Sequence, residues 1–224
     1  MAIAQSFTDN TLARMKNSKL TEISGISRSS KDKTLWMHND SGDQARIFAV
    51  DTSNGETVAE AQLRDVRAAD FEDITFNDGV VFVGDIGDNA RKRNTISIYR
   101  FDEPSLDTDS TVSSERFKFS YPGRKQNSEA LMIDPISGGL FLISKESTRA
   151  SLFEIPIGKS DQLIEHQVLK GIREAVTGAD ISQDGSEILV VGMDTVFLFE
   201  RRDGESVVEA MTREPKNLGT SVKG

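Results

Sequence analysis

An internal repeat of about fifty residues runs through this chain and limits the folds that it can adopt. Four segments align with one another, and three of them contain a tight-turn sequence such as Asn77-Asp78-Gly79. Asn, Asp and Gly tolerate the positive φ that short hairpins require, so each segment is predicted to begin with a hairpin. The first predicted strand of each segment opens with an acidic residue, namely Glu22, Glu72, Glu129 and Asp180.

Hydrophobicity changes in the same order within every segment. The second predicted strand is the most apolar, as in Val80-Val81-Phe82-Val83, the third alternates, and the fourth is the most polar. A radial blade needs this gradient, because its inner strands lie between neighbouring blades while its outer edge meets water. The sequence therefore predicts an all-β fold, a single β-propeller domain over 1–224 with four recognisable four-stranded blades at about 19–65, 66–122, 123–171 and 172–213.

The alignment also predicts one inserted loop and four buried residues at equivalent positions. The polar segment from Asp102 to Glu115 is predicted to be a loop inserted in the second blade. Four large apolar residues on the second strands are predicted to be buried at equivalent positions: Trp36, Phe82, Phe141 and Leu189.

Composition excludes several classes of function. A net charge of −9 disfavours nucleic acid as a partner, because phosphate binding needs clustered Lys and Arg. The longest apolar stretches have the length of strands, so no membrane-spanning segment is expected. The absence of cysteine excludes disulfides and thiolate chemistry. Met1 to Ala4 lack the features of a signal peptide, so we expect either a cytosolic protein or one whose leader has been removed.

Four ordered motifs resemble a family of largely uncharacterised bacterial β-propellers. They are Glu22-Ile-Ser-Gly, His38-Asn-Asp-Ser-Gly-Asp, Asp70-Phe-Glu-Asp-Ile and Gly84-Asp-Ile-Gly-Asp-Asn. A looser similarity is to gluconolactonase-type calcium propellers, in which acidic and amide side chains near the axis hold a divalent cation. The resemblance also implies a further repeat after Glu214-Pro215, so the expected outcomes are four-blade closure, an incomplete domain, or a homo-oligomer that forms through unpaired blade edges.

The repeated acids are the strongest candidates for a metal site. Carboxylate oxygens with no cysteine and few histidines favour a hard cation, Ca²⁺ or Mg²⁺. The predicted ligands are Glu22, Glu72, Glu129 and Asp180, together with Asp85 and Asp88 from a loop that follows an inner strand. The alternative is that each acid caps a strand or bonds backbone amides.

Catalytic candidates lie on the same predicted rim. His38 is the histidine better placed for general-base work, and Asp40 and Lys145 supply a carboxylate and a cation. Two functions are compatible with these residues. One is a binding or scaffold protein for a small-molecule or protein ligand, and the other is a metal-dependent hydrolase of small esters, lactones or phosphoesters.

Overall fold

The computed structural model describes residues 12–220 of the chain. Within that range the protein is all-β, and its single helix has four residues. No helix there is long and apolar enough to cross a bilayer. The elements are β1 (Ile23–Arg28), β2 (Thr34–Asn39), β3 (Arg46–Asp51), β4 (Glu56–Leu63), β5 (Phe71–Asn77), β6 (Val80–Asp85), β7 (Ile96–Asp102), β8 (Ser110–Val112), β9 (Glu115–Phe119), β10 (Ser128–Ile133), β11 (Leu140–Ser144), β12 (Ser151–Ile155), β13 (Ile164–Val168), β14 (Val176–Ile181), β15 (Glu187–Gly192), β16 (Thr195–Glu200), α1 (Val207–Ala210) and β17 (Lys216–Thr220).

The strands form four sheets, and each contains four antiparallel strands in the order expected of a propeller blade. The sheets are β1-β2-β3-β4, β5-β6-β7-β9, β10-β11-β12-β13 and β14-β15-β16-β17. We call them blades 1 to 4. The predicted fold class, an all-β propeller with four four-stranded blades, is confirmed.

The described residues divide into two compact units. The N-terminal unit consists of 12–87 and 96–118 and contains blades 1 and 2, whereas the C-terminal unit consists of 88–95 and 119–220 and contains blades 3 and 4. In the N-terminal unit, Trp36 and Ile47 of blade 1 share an apolar core with Phe71 and Val83 of blade 2. The corresponding core of the C-terminal unit joins blades 3 and 4 and also takes in α1.

The hairpins begin as the turn sequences predict. Only Asp78 and Gly79 separate β5 from β6, with φ of 47° and 75°. A two-residue hairpin with positive φ at both positions has the twist that matches its flanking strands. This short turn fixes the register of β5 on β6.

The inserted segment contains a strand that the sequence did not predict. β8 lies within the polar stretch that follows β7 and pairs in parallel with β4, so that it extends blade 1 by a fifth strand. Leu63 pairs with Val112 in this ladder. Blade 4 takes its outer strand from β17, which lies beyond the predicted end of the fourth repeat at 213.

The predicted burial of four equivalent residues is confirmed for three of them. Trp36, Phe82 and Phe141 are buried, with at most 7% of each exposed. The prediction is wrong for Leu189, which is 39% exposed. In β15 the side chains alternate, and Ile188 and Val190 face the shared core of blades 3 and 4 while Leu189 faces away from it.

Candidate functional site

Three carboxylates meet in the N-terminal unit where the end of β2 approaches the start of β5. Asp40, Asp70 and Glu72 each offer an oxygen, and these three atoms lie within 4.8 Å of one another. Glu72 is buried, whereas Asp40 and Asp70 are partly exposed. The site therefore presents oxygen ligands that solvent can reach, which is the chemistry that Ca²⁺ and Mg²⁺ prefer. We call these three residues the carboxylate cluster.

The loop after β6 holds the backbone of Asp70 in place. Asp85, at the end of β6, is buried, and its Oδ1 accepts the Asp70 N–H at 3.0 Å. The Gly87 N–H then donates to the Asp70 carbonyl at 3.2 Å. Asp85 is not part of the carboxylate cluster, but it fixes the backbone position of Asp70, which is.

The backbone of Gly87 closely approaches the cluster. A Cβ at this position would lie 2.2 Å from Glu72 Oε1 and 2.4 Å from Asp70 Oδ2. Both separations are far inside van der Waals contact, so a larger residue at this position would displace the two carboxylates.

A β-bulge directs Glu72 into the cluster. In β5 the pairing with β6 skips from Phe71 to Asp73, which leaves Glu72 as the extra residue. The Ser24 hydroxyl donates to the Glu72 carbonyl at 2.9 Å and lies 3.3 Å from Oε2. Bulges reorient side chains locally, and this one is additionally held by the neighbouring blade.

An open pocket of about 370 Å³ includes Asp40 in its lining, along with Glu22 and Asn39. Glu22 is exposed, and its carbonyl accepts the Asp40 N–H at 2.8 Å. Asp43 lines the same pocket and forms a bidentate ion pair with Arg46. Burial would raise the pKa of Asp43, but the hydrogen bonds from Arg46 and Asn39 hold it below its ordinary value. The Asp43 carboxylate is therefore occupied by its ion pair with Arg46.

His38 is fully buried beside the shared core of blades 1 and 2. Its Nδ1 lies 2.8 Å from the Asn39 carbonyl, and its ring packs edge-on against Phe71. Burial lowers the pKa of His38, against the raising effects of the backbone groups of Asn39 and Asp73 and of the Asp40 charge. The ring is thus neutral at pH 7 and, since no part of it is exposed, it has no open path to a substrate.

The remaining predicted site residues lie in the C-terminal unit. Glu129 forms an ion pair with Lys145, so the predicted metal ligand and the predicted catalytic cation contact each other. Asp88 is buried, and its two oxygens accept the N–H groups of Lys92 and Arg93 at 2.9 and 2.8 Å. Asp180 is exposed and accepts the N–H of the next residue at 2.9 Å. Asp88 and Asp180 therefore bond backbone amides, which is the alternative to metal binding that the sequence analysis left open.

The strand register shows that the four repeated acids are not equivalent. Each inner strand carries one bulge next to its first residue, and the bulged residues are Ser24, Glu72, Glu129 and Thr177. Glu22 precedes β1, and Asp180 lies three residues after the bulge of β14. The predicted equivalence therefore holds for Glu72 and Glu129 and is wrong for Glu22 and Asp180. A sequence alignment cannot detect a bulge, because the extra residue is defined by hydrogen bonding between strands.

Asp70 is the member of the cluster that the sequence-based candidates did not include. The motif Asp70-Phe71-Glu72-Asp73 contained the signal, since it places three carboxylates where a strand begins. Asp40 was predicted as a catalytic group and Glu72 as a metal ligand, and the structure places them together.

No protein-family model matches the chain, and no curated protein matches it. Similar solved structures include the hydrazine synthase of Kuenenia stuttgartiensis, which is 15% identical with a TM-score of 0.48 over 81% of this chain and 52% of that one. The Dos1 propeller is 16% identical, with a TM-score of 0.45 over 90% and 48% of the two chains. The β-propeller domain of Myceliophteria thermophila Cps50 (Swd1) is 13% identical, with a TM-score of 0.46 over 87% and 57%.

The chain spans about half the length of each of these structures. At such low identities the similarity concerns the backbone fold alone.

Proposed function

We propose that this chain is a binding or scaffold protein of the propeller fold, in which Asp40, Asp70 and Glu72 hold a hard divalent cation, Ca²⁺ or Mg²⁺. The observation that carries the proposal is the convergence of three carboxylate oxygens within 4.8 Å at a partly exposed position. Such ions take all-oxygen ligand sets that usually include water, so three protein carboxylates, of which Asp40 lines an open pocket, would supply part of the ligand set. A small-molecule or protein ligand would then reach the cation from the pocket side.

Three of the metal ligands predicted from sequence lie outside the carboxylate cluster and have other contacts. Glu129 is paired with Lys145, Asp88 caps a loop, and Asp85 supports Asp70 through a backbone bond. We assign these three residues structural roles and leave the ligand role to the carboxylate cluster.

Isothermal titration of metal-free protein with CaCl₂ and MgCl₂ tests this proposal. We expect binding by the wild-type chain and its loss in Asp40→Asn and Glu72→Gln, which keep the side-chain shapes but remove the charges. Asp32→Asn is the control for the first, because Asp32 is exposed in the same unit. Glu129→Gln is the control for the second, because it removes the register-equivalent glutamate. The proposal fails if neither ion binds, or if the control variants lose binding to the same extent.

Hydrolysis finds less support among the described residues. Two of the three predicted catalytic groups are enclosed or engaged, because the ring of His38 is buried and Lys145 is paired with Glu129. Lactone or phosphoester turnover that disappears in Asp40→Asn and in chelator would overturn the binding role in favour of catalysis.

Self-association stays a prediction. In the N-terminal unit Ile23 and Ile26 of β1 are 37% and 52% exposed, and in the C-terminal unit Leu189 and Met193 are 39% and 60% exposed. Exposed apolar side chains on blade faces are suited to contact a second copy of the chain or another protein. Light scattering at several protein concentrations measures whether they do.

A further inference from the structure

Three loops of the C-terminal unit are bound to one another through Asn127. Its side chain accepts the Asp88 N–H at 2.6 Å and donates to Asn89 Oδ1 at 3.1 Å, while its carbonyl accepts the Lys145 N–H at 2.9 Å. Lys125 Nζ adds a bond to the Lys92 carbonyl at 2.7 Å. Residues 88–95, 120–127 and 145–150 therefore form one surface, which we call the basic loops.

The basic loops have a charge opposite to that of the whole chain. They contain seven basic residues and two acidic ones, in a protein with 27 basic and 36 acidic residues overall. The seven are Arg91, Lys92, Arg93, Arg124, Lys125, Lys145 and Arg149. Because the remainder of the chain is correspondingly more acidic, this surface is a local positive region on a negative molecule.

Both acidic residues of the basic loops are already engaged. Asp88 is buried, and its carboxylate accepts the backbone N–H groups of Lys92 and Arg93. Glu146 pairs with Arg91 at 2.6 Å. Lys145 pairs with Glu129, which lies just outside the loops.

Three cations on this surface are exposed and have neither an ion-pair partner nor a side-chain hydrogen bond within residues 12–220. They are Lys92, Arg124 and Arg149, one from each loop. Lys125 is also exposed and has no ion-pair partner there, but its Nζ donates to the Lys92 carbonyl. Their loops are fixed by hydrogen bonds, so an anionic partner would meet a preorganised set of charges and little backbone entropy would be lost on binding. Arginine also binds carboxylates through two parallel N–H groups.

We propose that the basic loops bind an acidic peptide segment of a partner protein. Charge complementarity selects an anion, and the surface is made of three short loops on which a short segment fits. A long nucleic acid is disfavoured, because its phosphates would extend from the basic loops over the acidic remainder of the chain. This interaction uses residues of the C-terminal unit alone and is independent of the carboxylate cluster.

Fluorescence anisotropy with a labelled poly-glutamate peptide tests the proposal. The measurement is made in EDTA, so that its outcome does not depend on the proposed cation. We expect the peptide to bind, more weakly as salt is raised, and the triple variant Lys92→Gln, Arg124→Gln, Arg149→Gln to lose at least roughly tenfold in affinity. None of these three side chains forms an ion pair within the described residues, so circular dichroism should show an unchanged fold.

The matched control removes the same charges elsewhere. Arg64→Gln, Arg67→Gln and Lys170→Gln replace two arginines and one lysine that are exposed and lie outside the basic loops. We expect this triple variant to bind like the wild type. Equal losses in both triple variants would mean that net charge alone attracts the peptide, and the proposal would be overturned. It would equally be overturned if poly-glutamate does not bind, or if inorganic phosphate or single-stranded DNA binds the loops and poly-glutamate does not.

Discussion

Gly25 and Gly178 occupy the same register position, one residue after the bulges of β1 and β14, but their surroundings differ. A Cβ at Gly25 would lie 2.2 Å from Nε2 of the buried His38, whereas a Cβ at Gly178 would have no neighbour within 4 Å. We expect Gly25→Ala to lower the free energy of unfolding by about 1–3 kcal/mol through overpacking, and Gly178→Ala to change it by less than about 0.5 kcal/mol. Urea denaturation of both variants measures the difference. Equal effects would show that the His38 ring moves aside freely.

His38 should make the stability of the fold depend on pH. Burial lowers its pKa below the 6.5 of an unperturbed histidine, so below pH 6.5 the unfolded chain takes up a proton at this residue before the native state does. Stability is therefore complete above that pH and falls as the pH drops below it. Denaturation curves between about pH 5 and 8 should show this slope in the wild type and a smaller slope in His38→Gln. A variant with an unchanged slope would assign the dependence to other groups.

At the scale of elements, blades 3 and 4 are joined by a buried ion pair. Arg201, which follows β16, donates to both oxygens of Asp134 in the β10–β11 turn, at 2.7 and 3.3 Å. The two side chains are only 7% and 2% exposed. Although burial would raise the pKa of Asp134, the bonds from Arg201 and Ser137 lower it.

Removing one partner of this pair leaves the other buried charge uncompensated. We expect Asp134→Ala to cost about 3–5 kcal/mol of unfolding free energy. Glu115→Ala breaks the exposed pair between Glu115 and Arg100 and should cost less than about 1 kcal/mol. Thermal or chemical denaturation separates the two cases, and a small effect of Asp134→Ala would mean that water reaches Arg201 once its partner is lost.

The position of an element within its unit explains why Leu189 differs from Trp36 and Phe141. Trp36 faces the core shared by blades 1 and 2, and Phe141 faces the core shared by blades 3 and 4. Leu189 lies on the face of blade 4 that is turned away from blade 3. Strand alternation assigned it to one of two faces, but whether that face is covered depends on contacts distant in sequence.

At the scale of the whole molecule, cation binding should appear as added stability. An ion that binds only the native state adds about 2.7 kcal/mol at 100 times its dissociation constant, which corresponds to a rise in Tm of roughly 5–10 °C for a protein of this size. We expect calcium or magnesium to produce this rise, EDTA to reverse it, and Asp40→Asn to abolish it. Identical melting curves in calcium, magnesium and EDTA would contradict the carboxylate cluster as a cation site.

Much of the fold could be predicted from local patterns. Alternation and turn residues such as Asp78-Gly79 specify hairpins within a few residues of each other, and the decline in hydrophobicity from the second to the fourth strand specifies a blade. The candidate site was predicted in part, because Asp40 and Glu72 stand at strand ends where loops gather functional groups. Asp70 was missed because its closeness to Asp40 results from the packing of one blade on the next.

The sequence by itself determined the all-β class and the number of four-stranded blades. Only the tertiary structure decided the bulge register, which separates Asp180 from Glu72 and Glu129, and the partners of the charged groups, such as Lys145 for Glu129. The physical reason is the sequence separation of the residues that interact. Strand alternation and turn conformation depend on neighbouring residues, whereas an ion pair or a carboxylate cluster depends on which side chains long-range strand pairing and blade packing bring within a few ångströms.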